Sequence, residues 1–167
     1  QDLASVVALA DCDTQRMRTT KKKTHELFAG DLPDLKLYQD YRELLADASV
    51  DAVMICTPDF WHAQQCVEAA LAGKDVYVEK PDSHNIVEGQ RMVAAMRKHQ
   101  RIVQMGSQHR STPRLQSALE FVKTGQLGRC VVAKAWESSR QGAIGFHADG
   151  TPPAGVNYDM WMGPAPQ

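Results

Sequence analysis

The sequence predicts an α/β fold built on a Rossmann-like, doubly wound parallel sheet, and three observations carry that prediction. Short apolar runs of strand length alternate strictly with segments of helical period as far as Gly125. The runs end abruptly, most clearly in Asp75 to Pro81 (DVYVEKP), where proline has no N–H and forces Lys80 into an extended conformation at the strand tip. Four of these tips carry polar residues, and parallel strands bring all such tips to one crevice, where open α/β sheets bind ligands.

Taken in order, Ser5–Ala10 reads as the first strand, and Asp13 caps a helix that runs to about Phe28. Lys21-Lys22-Lys23 within it are a solvated helix face. Leu35–Tyr38 is a short strand. Asp40-x-x-Glu43 has the spacing of a capping box and opens a helix with Leu44 and Leu45. Asp51–Cys56 is a buried strand. The helix after Thr57-Pro58-Asp59 carries Ala63, Cys66, Val67 and Ala70 on one face and stops at Gly73. Val76–Glu79 forms the next strand, followed by a helix from Ile86 to His99 with Val93 and Met96 inward. Arg101–Gly106 is a further strand. Thr112-Pro113 opens a helix whose Leu115, Ala118, Leu119 and Val122 form an apolar stripe ending at Gly125. Cys130–Glu137 reads as a longer strand, and the tail is irregular apart from Tyr158–Met162. Where alternation stops, near Leu127–Arg129, a boundary is expected between a partial dinucleotide-binding domain (1–127) and the beginning of a second, α+β domain (128–167).

Composition narrows the partners. A hydrophobic fraction of 43% suffices for a packed core, and a net charge of −1 gives no basis for binding nucleic acid or an anionic membrane. No apolar run reaches membrane-spanning length. Cys12, Cys56, Cys66 and Cys130 form no CxxC pair and no zinc spacing, so no metal site is expected. Buried thiols at Cys56 and Cys66 fit a reducing, cytoplasmic setting. The chain begins at Gln1 and ends after Pro164-Ala165-Pro166, so both ends are expected to be incomplete and an export signal is left open.

The polar tips are Asp11, Thr57-Pro58-Asp59, Glu79-Lys80 and Gln108-His109-Arg110. A carboxylate at Asp11 can accept both ribose hydroxyls of an adenosine and repel a 2′-phosphate, favouring NAD over NADP; equally, it can do no more than start a turn. His62 in the first helical turn is either a ligand-facing group or an exposed one. Trp161 can stack on a ligand ring or pack beneath a loop. GxGxxG is absent, as are GxSxG, HExxH and a P-loop. The missing glycine-rich turn belongs with a strand before Ser5, central in the order 3-2-1-4-5-6, so two half-sheets are expected, either closing up or separated by a gap.

Asp51-x-Val53-x-Ile55-Cys56-Thr57-Pro58, His62, Ala72-Gly73-Lys74-x-Val76 and Glu79-Lys80-Pro81 together resemble the Gfo/Idh/MocA oxidoreductases, relatives of glucose–fructose oxidoreductase and inositol dehydrogenase. Asn157–Pro166 looks like the branch with a WxGPAP loop early in its second domain. The resemblance implies an NAD(P)-dependent oxidoreductase transferring hydride to or from a sugar, cyclitol or related polyol, with NAD the expected cofactor. Lys80 would be catalytic, contacting the nicotinamide ribose and the reacting hydroxyl. Thr57, Pro58, His62, Glu79, Gln108 and Trp161 would line the cofactor beside Asp11, and His109 and Arg110 would approach the substrate. The peptide before Pro81 is often cis in such proteins. The family's acid–base histidine would lie beyond residue 167, so this segment alone is expected to be inactive and the complete protein a homo-oligomer. An NAD-dependent glycosidase of the same family and a non-catalytic nucleotide-binding module are the alternatives.

Overall fold

The computed structural model describes residues 4–28, 33–136 and 142–165. Glu137, which closes an expected strand, and the closing Pro166 and Gln167 lie outside them. Strands β1 (Ala8–Ala10) and β2 (Lys36–Tyr38) pair in parallel, Ala8 opposite Lys36. Strands β3 (Ala52–Ile55), β4 (Asp75–Val78) and β5 (Val103–Met105) form a second parallel sheet in that order. β1 and β3 do not pair. Of the two arrangements expected, the gap is the one adopted.

Local chemistry sets the helices. Asp13 accepts from the N–H groups of Gln15 and Arg16 and so starts α1 (Thr14–Leu27). Asp40 caps α2 (Tyr41–Ala46) through the Arg42 N–H, and the Arg42 guanidinium folds back onto the same carboxylate. Helix α3 (Asp59–Leu71) ends where Gly73 adopts a φ of +74°. Helix α4 (Ile86–Lys98) is capped by Asn85.

The core lies between α3, α4 and one face of β3 and β4, whereas the three residues of β5 are exposed. Cys66, Ala69 and Ala70 bring α3 close to Val76 and Val78, and Met92 and Met96 close the cluster from α4. Two expectations are corrected there. Met92, not Val93, faces inward: it shares a face with Met96 four residues on, whereas Val93 is rotated a quarter-turn away and half exposed. Cys56 is exposed, because strand side chains alternate and Val53 and Ile55 take the covered side.

The chain forms two compact units, Gln1–Gly106 with Pro152–Gln167, and Ser107–Thr151. In the second, α5 (Pro113–Lys123) forms as its Thr-Pro start predicts, but Leu115, Leu119 and Val122 are exposed. Residues 130–136 are not a strand. Without a ladder partner among the described residues, an extended segment cannot pair its N–H and C=O groups in a sheet.

Within the first unit, α2 and the returning tail tie the half-sheets together. Leu45 enters the core cluster, and Tyr41 meets the Trp61 ring edge-to-face at 5.4 Å. The tail docks on the β1 tip through Thr14 N–H to the Gly155 carbonyl and Asn157 N–H to the Cys12 carbonyl, while the Gln39 amide donates to both those carbonyls. It then forms α6 (Tyr158–Met162), and the Trp61 indole N–H reaches the Trp161 carbonyl at 3.4 Å. Gly163 follows with φ +49°, and a Cβ there would lie 2.1 Å from the Trp61 ring, so only glycine fits.

Candidate active site at the strand tips

Beyond Val78 the ladder continues one step: the Glu79 N–H donates to the Ile55 carbonyl at 2.9 Å, and the Gly106 N–H to the Val78 carbonyl at 2.7 Å. The Glu79 side chain lies over Gly106, whose missing Cβ leaves the room; a Cβ would come within 3.1 Å of that carboxylate. One Glu79 oxygen accepts from the Lys80 N–H at 3.1 Å. The chain then turns through a cis Lys80–Pro81 peptide, and the Lys80 side chain is exposed at the tip.

His62 sits beneath this turn, 2% exposed. Its Nδ1 is 2.6 Å from the Pro81 carbonyl and its Nε2 2.8 Å from the Thr57 carbonyl. A carbonyl only accepts, so each contact is a hydrogen bond when that ring nitrogen bears its proton. The first-turn position therefore makes His62 neither exposed nor ligand-facing: one imidazole bridges the loops that follow β3 and β4. Gln65, one turn along the same face of α3, accepts from the Thr57 hydroxyl at 2.8 Å. The sequence reading missed Gln65, although its i+3 spacing from His62 was the available signal.

Lys74, from the Ala-Gly-Lys motif, was also missed as a structural element. Its ammonium is buried and donates to the carbonyls of Val50 at 2.6 Å and Asp47 at 2.9 Å, which fixes the turn entering β3. Neither cysteine near the tips is a nucleophile in waiting. Partial desolvation of its sulfur, aided by the Glu79 charge, raises the thiol of the otherwise exposed Cys56, and burial pushes Cys66 up to about 11, which keeps it protonated at neutral pH.

The structure brings Thr57, Pro58, His62, Glu79 and Lys80 together at the β3 and β4 tips. Asp11 stands at the β1 tip, where one carboxylate oxygen takes the Asp13 N–H at 2.9 Å; Asp13, not Asp11, caps the helix. Trp161, half exposed on α6, stacks on Tyr158 with ring centroids 5.7 Å apart. Gln108, His109 and Arg110 lie in the second unit, exposed on one 3₁₀ turn (Gln108–Ser111). Among the described residues no cluster of His, Cys, Asp or Glu could hold a metal ion, and no helix is long and apolar enough to cross a membrane.

Residues 1–107 match the Gfo/Idh/MocA oxidoreductase family, NAD-binding Rossmann fold. The chain belongs to that family. An uncharacterized oxidoreductase of Bacillus subtilis is 40% identical over 89 residues, 53% of this chain and 26% of that protein. The myo-inositol 2-dehydrogenase of Thermotoga maritima is 31% identical over 128 residues, 77% of this chain and 36% of that protein. Among solved structures, a probable dehydrogenase from Thermotoga maritima superposes with a TM-score of 0.65 at 30% identity, covering 75% of this chain and 36% of that one. The chain thus spans about a quarter to just over a third of the length of these relatives. Its Thr57–Pro58 and Glu79–Pro81 motifs fall within the matched residues.

Proposed function

We propose that this chain forms the dinucleotide side of an NAD(P)-dependent dehydrogenase acting on a secondary hydroxyl of a cyclitol, sugar or related polyol. The observation that carries the reading is the exposed Lys80, held at the β4 tip on a turn that buried His62 ties to the Thr57 loop. The donor and acceptor chemistry suits a nicotinamide dinucleotide at both ends, with a carboxylate at Asp11 for the adenosine ribose and an ammonium at Lys80 for the nicotinamide ribose. In the oxidation such a cofactor supports, the carbinol carbon gives up a hydride to the ring, the hydroxyl gives up its proton, and the C–O bond becomes a carbonyl.

Lys80 donates a hydrogen bond to the reacting hydroxyl and stabilises the negative charge that grows on its oxygen. Thr57 and Pro58 form a rigid wall beside it, and Glu79, lying over Gly106, fixes the backbone from which Lys80 projects. Trp161 completes the cofactor's surroundings in this reading. In the full gene product, Lys80→Ala lowers kcat for inositol oxidation by about 10²- to 10⁴-fold while dinucleotide affinity changes little. Wild-type turnover in that variant would reject the assignment. Asp11 favours NAD: kcat/KM is higher with NAD than with NADP, and Asp11→Ala narrows the ratio. Equal use of both cofactors by the wild type removes this part of the reading.

A further inference from the structure

We propose that His62 is a positioning residue that sets the distance between two loops with separate duties, one lining the dinucleotide and the other carrying Lys80. The inference rests on the dehydrogenase reading for those duties, but the bridge itself stands on geometry. The Thr57 loop follows β3 and the Pro81 turn follows β4; beyond the Glu79–Ile55 bond the backbone ladder between the two strands ends. Past that point, the described polar contacts joining the loops pass through the His62 ring, at 2.6 Å to Pro81 and 2.8 Å to Thr57, and the ring donates to both carbonyls together when each of its nitrogens bears a proton. The ring is 2% exposed, so it acts on a bound molecule through the loops and not by touch.

Its anchorage is equally rigid. His62 belongs to the first turn of α3, flanked by buried Trp61 and Ala63, and Gln65 holds the Thr57 hydroxyl from the same helix face. Thr57 is therefore held twice from α3, by its carbonyl and its hydroxyl. Among the described residues the Pro81 carbonyl is met by His62 Nδ1, and Lys80 is the residue immediately before it. A shift of about 1 Å in a catalytic group can cost about 10²-fold in rate, so the Nδ1 bond governs turnover and the Nε2 bond governs the dinucleotide wall.

Two conservative variants separate the bonds. The side-chain amide nitrogen of asparagine falls near the position of Nδ1, and that of glutamine near Nε2. In the full gene product, His62→Gln is expected to lower kcat about 10²-fold with dinucleotide Kd within about threefold of wild type. His62→Asn is expected to keep kcat within about tenfold, with Gln65 still holding Thr57 and any loss falling on dinucleotide Kd. Backbone amide shifts give a readout independent of turnover: His62→Gln moves Lys80 and Asp82, whereas His62→Asn moves Thr57 and Asp59. Equal kcat in both variants with the same set of amides displaced would overturn the positioning role, including the case where both merely lose Tm. The split amide pattern in a protein in which Lys80→Ala keeps full turnover would leave the bridge standing and reject the dehydrogenase reading instead.

Discussion

The two half-sheets of the first unit are held by different physics. β3–β5 rests on an apolar cluster in which Cys66, Ala69, Ala70 and Val78 are wholly buried, and its tips are joined by one buried imidazole. Among the described residues, β1–β2 has Met17 and Leu35 as its buried apolar side chains, and a polar network supplies the rest. Asp47 is its hub: it accepts from the Lys36 ammonium at 2.7 Å, the Tyr38 hydroxyl at 2.9 Å, and both the N–H and hydroxyl of Ser49. Lys21 adds a bond to the Leu35 carbonyl at 3.0 Å. The difference teaches where precision comes from. Close packing fixes the half that carries Lys80, whereas the half that carries Asp11 is set by charges whose strength depends on pH and salt.

The comparison breaks most sharply at Met96. Met96→Ala opens a cavity between α4 and the sheet and is expected to cost about 2–5 kcal/mol, measured by chemical unfolding of the full gene product, with the same loss at pH 7 and pH 5. A loss confined to one of those pH values would show that the apolar half is not independent of charge.

A smaller effect comes from the joint between the halves. Lys74 on β4's approach holds the Asp47 and Val50 carbonyls, so Lys74→Met leaves two carbonyls without their donor and is expected to cost about 1–3 kcal/mol. Stability equal to wild type would mean water replaces the ammonium without loss.

The smallest effect is expected at Asp47, and it depends on pH. The Lys36 ammonium, then Ser49, hold its carboxyl far below the usual carboxylate range. A depressed carboxylate stabilises the fold above its unfolded value, about 3.9, and that contribution is lost as pH falls from there. Asp47→Asn should therefore lower Tm at pH 7, with the gap to wild type beginning to narrow as the pH falls below about 3.9 and closing only well below that, as the folded-state carboxyl itself takes up its proton. A gap that stays constant with pH would take the charge out of the argument and sharpen the contrast in favour of shape alone.

Much of this was readable from residue order. Asp13, Asp40 and Gly73 mark helix ends because capping and positive φ act within a few residues, and Glu79-Lys80-Pro81 announces a strand tip because proline's limits are local. The stripe of Leu115, Leu119 and Val122 correctly announced a helix. Its burial was another matter, since a partner surface is a long-range fact, and the same holds for the absent strand at 130–136. Likewise, the sequence by itself determined that Lys80 stands at a strand end and that His62 opens a helix. Only the tertiary structure decided that His62 turns inward to bridge Thr57 and Pro81, and that Lys74 reaches back to Asp47 and Val50. Apart from the His62–Thr57 contact, five positions apart, those bonds link residues 19, 24 and 27 positions apart, and strand order, which no local pattern encodes, brings them within reach.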